Sequence, residues 1–65
     1  MNYDIGINAG KVYKVLSEKG ELSLAKLKTE TKLEPFALHS AIGWLARENK
    51  LHFSAKGKSI IINLK

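Results

Sequence analysis

Residues 35–64 read PFALHSAIGWLARENKLHFSAKGKSIIINL, and the spacing of apolar residues changes once within this stretch. Up to about Asn49 they recur at helical spacing, and Pro35 suits the first position of a helix because its missing N–H would be unpaired there. From Leu51 onward apolar and polar residues alternate, which is typical of strands with one buried face. Gly57 interrupts the alternation. The stretch therefore predicts a helix followed by a β-hairpin.

The position of the turn decides which residues of the hairpin face each other. A two-residue turn at residues 56–57 predicts that Phe53 faces Ile60 and that Leu51 faces Ile62, with both apolar sets on one side of the ribbon. Lys is a poor residue for positive φ. A longer loop with the glycine in the left-handed conformation is therefore the alternative.

Two more helices are predicted before this stretch. The first extends from about Asp4 to Glu18, because apolar residues recur there at i, i+4, i+7 and i+11 and Gly20 follows as a stop signal. Ser23 suits the N-cap of a second, short helix that ends near Thr31. Together the elements predict one shared core, made by Ile5, Val12, Leu16, Leu27, Leu38, Ile42, Leu45, Phe53, Ile60 and Ile62. Trp44 is expected to pack against the first helix, since one Trp often closes so small a core.

Length and composition predict one small domain over residues 1–65, without disulfides. The chain has no Cys and 45% hydrophobic residues, which is too many for a disordered chain, while the apolar runs are too interrupted for a membrane span. Residues 1–4 lack the basic start and apolar run of a secretion signal, so a cytoplasmic location is expected.

Charge is unevenly distributed along the chain. The net charge is +5, yet residues 1–25 are balanced, so residues 26–65 carry the whole excess. From Lys50 onward there are four Lys and no acidic residue. Such a segment attracts phosphate backbones or acidic protein surfaces, and ordinary solubility is the alternative explanation.

The order helix, short strand, helix, tight turn, helix and hairpin is that of the winged helix-turn-helix domain, a mostly α fold with a small β-sheet (α+β). The hairpin is the wing. Residues 5–12 (IGINAGKV) and 41–50 (AIGWLARENK) closely resemble a bacterial and archaeal family of stand-alone winged helix-turn-helix domains of unknown function. The resemblance covers almost the whole chain and implies the winged helix fold and an expected role in binding DNA. The chain departs from the family pattern at Lys32, where Gly is common, and at Glu34, where Ser is the usual cap.

Catalytic and metal-binding patterns are absent from the sequence. His39 and His52 have no Cys or carboxylate at a ligand spacing, and metal sites need three or four converging groups. Gly6 and Gly10 lie within a helix and lack the Gly-Lys-Ser/Thr run of a phosphate-binding loop. The sequence therefore predicts a non-enzyme, with no cofactor, no metal, no membrane segment and no evident small-molecule ligand.

DNA is the leading expected partner. The expected binding is weak and largely non-specific, in a transcription-associated role. Lysines of the wing tip and of the second helix are placed to neutralise phosphates. On the outward face of the third helix only Arg47 has the fork that reads guanine well, and it comes late in that helix. The candidate nucleic-acid-binding residues are Lys26, Lys28, Lys32, His39, Ser40, Arg47, Lys56 and Lys58.

A protein-interaction or scaffold role without direct DNA binding is the alternative. Aromatic residues and Arg are enriched in interface cores. Glycines on the first helix would let another helix approach closely, which predicts a homodimer. The candidate interface residues are Gly6, Gly10, Tyr13, Phe36 and Ile61.

Overall fold

The computed structural model describes residues 4–65, which form three helices and a three-stranded antiparallel sheet. The elements are α1 (Ile5–Lys19), β1 (Leu22–Ser23), α2 (Leu24–Thr31), α3 (Pro35–Arg47), β2 (Leu51–Lys56) and β3 (Ser59–Leu64). Strand β3 lies in the middle of the sheet, between β1 and β2. The predicted α+β fold with a C-terminal hairpin is confirmed. The first three residues of the predicted domain, which also carry the argument about a secretion signal, lie outside the described residues.

Side chains fix the starts of α1 and α2, and backbone geometry fixes the end of α1, close to where the sequence predicts them. The carboxylate of Asp4 accepts a hydrogen bond from the backbone N–H of Ile7 at 3.0 Å, and the Ser23 hydroxyl accepts one from Lys26 N–H at 3.1 Å. Each contact satisfies an N–H at a helix start that has no partner within the helix. Gly20 ends α1 with a φ of 78°.

Helix α3 ends at Arg47, two residues before the predicted end. Asn49 adopts the left-handed conformation with a φ of 59° and donates its N–H to the carbonyl of Ala46 at 3.0 Å. The N–H of Lys50 then bonds the carbonyl of Leu45, also at 3.0 Å. These two bonds form a Schellman motif, in which Asn replaces the usual Gly.

The turn between α2 and α3 is held from inside the core. Thr31 is buried, and its hydroxyl donates a hydrogen bond to the carbonyl of Leu27 at 2.9 Å and accepts one from Leu33 N–H at 3.4 Å. Lys32 has a φ of 58°, the left-handed conformation that Gly adopts without strain. Glu34 makes no side-chain cap hydrogen bond to α3. The corner therefore forms with neither the Gly nor the Ser of the family pattern.

The core lies between the three helices and one end of the sheet. Its buried apolar residues are Ala9, Val12, Leu16, Leu27, Ala37, Leu38, Ala41, Ile42, Leu45, Leu51 and Ile62. Most of the predicted core is confirmed, but the predictions for Ile5, Phe53 and Ile60 are wrong, since these side chains are 39%, 45% and 50% exposed. Ile5 is the first residue of α1, and the other two lie on the hairpin, where every residue from 52 to 60 is exposed.

The predicted register of the hairpin is also wrong. Phe53 pairs with Ile62 and Leu51 pairs with Leu64, so each partner is two residues further along β3 than predicted. The cause is the turn, which is formed by residues 57–58 with a φ of 60° at the glycine. This places the positive φ on Gly at the first turn position, where type II′ turns need it. Because the shift is two residues, the same side chains still share one face.

Trp44 does not close the core. It is 44% exposed, while the next residue, Leu45, is buried. Adjacent helix positions point about 100° apart, so burying Leu45 leaves Trp44 at the edge of the packed face. The prediction that Trp44 is a core residue is therefore wrong.

Candidate functional site

A cleft opens between the start of α2, the start of α3 and the tip of the wing. It has a volume of about 420 Å³. We call it the basic cleft, because two lysines and a histidine are its ionisable side chains. The residues that line it are Ser23, Leu24, Ala25, Lys28, Pro35, Leu38, His39, Lys58, Ser59 and Ile60.

An apolar groove continues from the basic cleft between α3 and the inner face of the hairpin. Its volume is about 320 Å³, and its lining shares Leu24, His39 and Ile60 with the cleft. The two depressions therefore form one trough, basic at the wing tip and apolar beside α3. The lining of the apolar groove consists of Leu24, His39, Ile42, Gly43, Ala46, Phe53, Ile60 and Ile62.

The fold brings three of the predicted nucleic-acid-binding residues to this trough. Lys28 comes from α2, His39 from α3 and Lys58 from the turn of the wing. No carboxylate is among the residues that line either part of the trough. The side chains that line the basic cleft therefore carry net positive charge, which suits an anionic group.

The remaining predicted lysines lie elsewhere. Lys26 is two positions before Lys28, and at about 100° per residue the two side chains leave α2 roughly 160° apart. Lys32 is exposed beyond the end of α2. Lys56 lies 3.9 Å from the carboxylate of Glu21, which offsets part of its charge. Of the helix and wing lysines, Lys28 and Lys58 therefore meet at the basic cleft, and Lys26, Lys32 and Lys56 do not line it.

The outward face of α3 contains the other predicted DNA-contacting residues. Ser40 is half-buried, which limits its reach, while Arg47 is exposed in the last turn of the helix. Phe36 is 63% exposed at the start of the same helix. This face presents an aromatic ring and one arginine, and it is a poor match to a base-reading surface, which needs several hydrogen-bonding side chains near the helix start.

The C-terminal lysines do not make one patch. The ammonium group of Lys50 lies 5.8 Å from the centre of the Tyr13 ring, within cation–π distance. Lys65 donates a hydrogen bond to the side-chain carbonyl of Asn49 at 2.6 Å. The segment without acidic residues is therefore divided between the α1 side of the domain and the wing.

The predicted interface residues are placed on three different elements. Gly6, Gly10 and Tyr13 are exposed along α1 and form one strip, whereas Phe36 is exposed on α3. Ile61 is half-buried in the central strand, on the sheet face opposite that of Ile60 and Ile62.

Sequence reasoning missed the apolar groove. The signal was present in the hairpin, where apolar residues alternate as far as Ile60, but α3 faces Phe53 and Ile60 only across a groove. The sequence predicts Phe53 and Ile60 as core residues because the alternation places them on the same face as Leu51 and Ile62. Alternation shows which face a residue occupies and does not show whether another element covers that face.

Among residues 4–65, no cluster of three or more His, Asp or Glu side chains could hold a metal ion. None of the three helices is long and apolar enough to cross a membrane.

Three helices followed by a wing that pairs with a short strand after α1 define a winged helix-turn-helix domain. The chain belongs to the family described as "Winged helix-turn-helix domain (DUF2582)", whose model matches residues 1–64. It is 41% identical over 64 residues to the uncharacterized protein MJ1608 of Methanocaldococcus jannaschii, covering 94% of this chain and 90% of that protein. The solution NMR structure of protein BT2368 from Bacteroides thetaiotaomicron is also similar, with a TM-score of 0.82 and 38% identity over 92% of this chain and 73% of the other. These findings confirm the family resemblance of residues 5–12 and 41–50.

Proposed function

We propose that this domain is a non-enzymatic, cytoplasmic protein that binds duplex DNA weakly and without sequence preference, in a transcription-associated role. The observation that carries the proposal is the meeting of Lys28 and Lys58 at one cleft whose lining contains no carboxylate. Two ammonium groups from different elements, beside the start of α3, can contact phosphates along one backbone. The membership of a winged helix-turn-helix family supports the same ligand, because this fold is often used to bind DNA.

Phosphate contacts give affinity, and base contacts give sequence preference. The exposed face of α3 has a single arginine, in its last turn, and a half-buried Ser40. A duplex bound here would thus be held by its backbone, and its affinity would depend strongly on salt.

The salt dependence of binding tests this proposal. Three to four phosphate contacts should reduce the affinity for a random-sequence duplex about 40- to 150-fold between 50 and 200 mM salt, since each contact contributes ~0.9 to the log–log slope. Replacing Lys28 and Lys58 together by Ala should lower that slope by ~2. Fluorescence anisotropy of a labelled duplex over a salt series measures both quantities.

The matched control is the double variant Lys11→Ala with Lys14→Ala, which removes the same charge from exposed positions of α1. Its slope should stay at the native value. An equal loss of slope in both double variants would show that net charge, and not the basic cleft, governs binding. Nanomolar binding to one selected sequence at physiological salt would contradict the proposal that binding is non-specific.

Protein interaction is the second candidate function, and exposed aromatic residues favour it. Phe36, Trp44 and Phe53 are all at least 44% exposed, and large aromatic side chains are enriched in interface cores. The strip of α1 that contains Gly6 and Gly10 is open, since a Cβ at Gly10 would meet no atom within 4 Å. A second copy of the chain packing on this strip is the proposed homodimer.

The homodimer predicts a mass of twice 7.2 kDa in sedimentation equilibrium at tens of micromolar protein. Tyr13→Glu should restore the monomer mass, because it places a charge beside the two glycines. Lys14→Gln changes the net charge by the same amount on the neighbouring position and should leave the dimer intact. A monomer mass for the native chain would contradict the proposed homodimer through α1.

A further inference from the structure

We infer that the trough between α3 and the wing is a docking site for an acidic, amphipathic peptide segment of another protein. The inference goes beyond the proposed DNA binding, because a duplex has no apolar side chains to place in the apolar groove. Its starting observation is that Phe53 and Ile60 are about half exposed on a concave surface instead of on a convex one.

The shape and lining of the groove suit an inserted apolar ridge. On one wall, α3 presents His39, Ile42, Gly43 and Ala46, which follow each other at i, i+3, i+4 and i+7. Gly43 and Ala46 have little or no side chain, so the helix backbone can be approached closely there. Grooves of this kind accept the apolar face of an amphipathic helix, whose anchor residues have the same spacing.

The charge around the groove indicates which sign of charge an occupant should carry. Lys28, His39 and Lys58 are placed at the wing end of the trough, and neither part of its lining contains a carboxylate. The first turns of α2 and α3 also line that end, and helix N-termini carry partial positive charge. An occupant with carboxylates at one end of its apolar face would be held by both features.

A second copy of this chain is a poor occupant by the same reasoning. Each copy has a net charge of +5, so a copy in the trough brings positive charge toward Lys28 and Lys58. An anionic bilayer matches the charge but is too flat to fill a concave groove. An acidic peptide satisfies charge and shape together, and it would compete with DNA for the two lysines.

A designed peptide can serve as the probe. It has about 15 residues, enough for roughly four helical turns, with Leu at i, i+3, i+4 and i+7 and Glu at most other positions. A scrambled peptide of the same composition and a version with Lys in place of Glu are the controls. The Glu peptide should shift the amide resonances of Gly43, Ala46 and Phe53 in a saturable way, while the scrambled and Lys peptides should not.

Variants of the groove separate this site from the rest of the surface. Ile60→Ser should weaken the Glu peptide about tenfold, as the loss of one half-exposed aliphatic anchor implies. Ala46→Gln, at an exposed helix position, should weaken it similarly by filling the groove without touching the core. Ile7→Ser, on the exposed face of α1, is the matched control and should leave peptide affinity unchanged. Lys28→Glu with Lys58→Glu should reverse the preference from the Glu peptide to the Lys peptide.

The outcomes also separate this inference from the proposed DNA binding. Ala46→Gln lies outside the basic cleft and should leave the affinity for duplex DNA unchanged, while the lysine variants should reduce it. Equal binding of the scrambled peptide, or unchanged peptide affinity in both Ile60→Ser and Ala46→Gln, would overturn the inference and leave the DNA proposal standing. Resonance shifts of Phe53 and Ala46 that DNA alone, anionic vesicles alone or a higher protein concentration without peptide produced would also overturn the inference.

Discussion

Replacing Leu45 by Ala should lower the free energy of unfolding by about 2–5 kcal/mol. Leu45 is 5% exposed and lies in α3 within the cluster that joins α1, α2 and the sheet. Truncation removes apolar contacts and leaves a cavity that the surrounding side chains fill only in part. A domain of 65 residues has a small core, so this loss is a large fraction of its total stability.

Chemical denaturation followed by circular dichroism measures this change, and Ile7→Ala is its matched control. Ile7 is 68% exposed on α1, so the same kind of truncation removes almost no buried contact. It also replaces a β-branched residue by the best helix former, so stability should be unchanged or slightly higher. A loss below ~1 kcal/mol for Leu45→Ala would show that α3 does not face the core through this residue.

The parts of the fold that local chemistry controls could be predicted from the sequence. Asp4 and Ser23 start helices because their side-chain oxygens accept backbone N–H groups, and Pro35 starts α3 because it has no N–H to satisfy. These preferences act over three or four residues, so no knowledge of distant packing was needed. The helix-turn-helix corner formed as well, although Lys32 occupies a left-handed position there.

The errors concern how far the elements extend over one another. The alternation of the hairpin correctly placed Phe53 and Ile60 on the inner face, but a groove separates them from α3 and leaves both about half exposed. The register failed for a related reason, since the sequence contained one glycine near the turn and two turn positions that it could occupy. Only the paired strands show that Gly57 takes the first of them.

The candidate site is less predictable from the sequence than the fold, because it depends on where elements meet. Lys26 and Lys28 looked equivalent in the sequence, yet only Lys28 lines the basic cleft. The two lysines of the wing differ as well, since Lys56 is near Glu21 while Lys58 lies in the cleft. An element distant in sequence determines which lysine of each pair lines the cleft. For this reason the charge counts predict an anionic partner but not the position of the basic cleft.

Replacing Gly20 by Ala should lower the free energy of unfolding by about 1–3 kcal/mol through the backbone alone. Gly20 ends α1 with φ 78° and ψ −148°, close to a region that is essentially restricted to Gly. A Cβ there would meet no atom within 4 Å, so no steric clash with another element contributes to the loss. Gly43→Ala is the matched control, because a Cβ added there would also meet no atom within 4 Å. Gly43 lies inside α3, where Ala should stabilise the protein by about 0.5–1 kcal/mol relative to Gly. Thermal unfolding of both variants measures the two effects, and changes of the same sign would show that the conformation of Gly20 does not control how α1 ends.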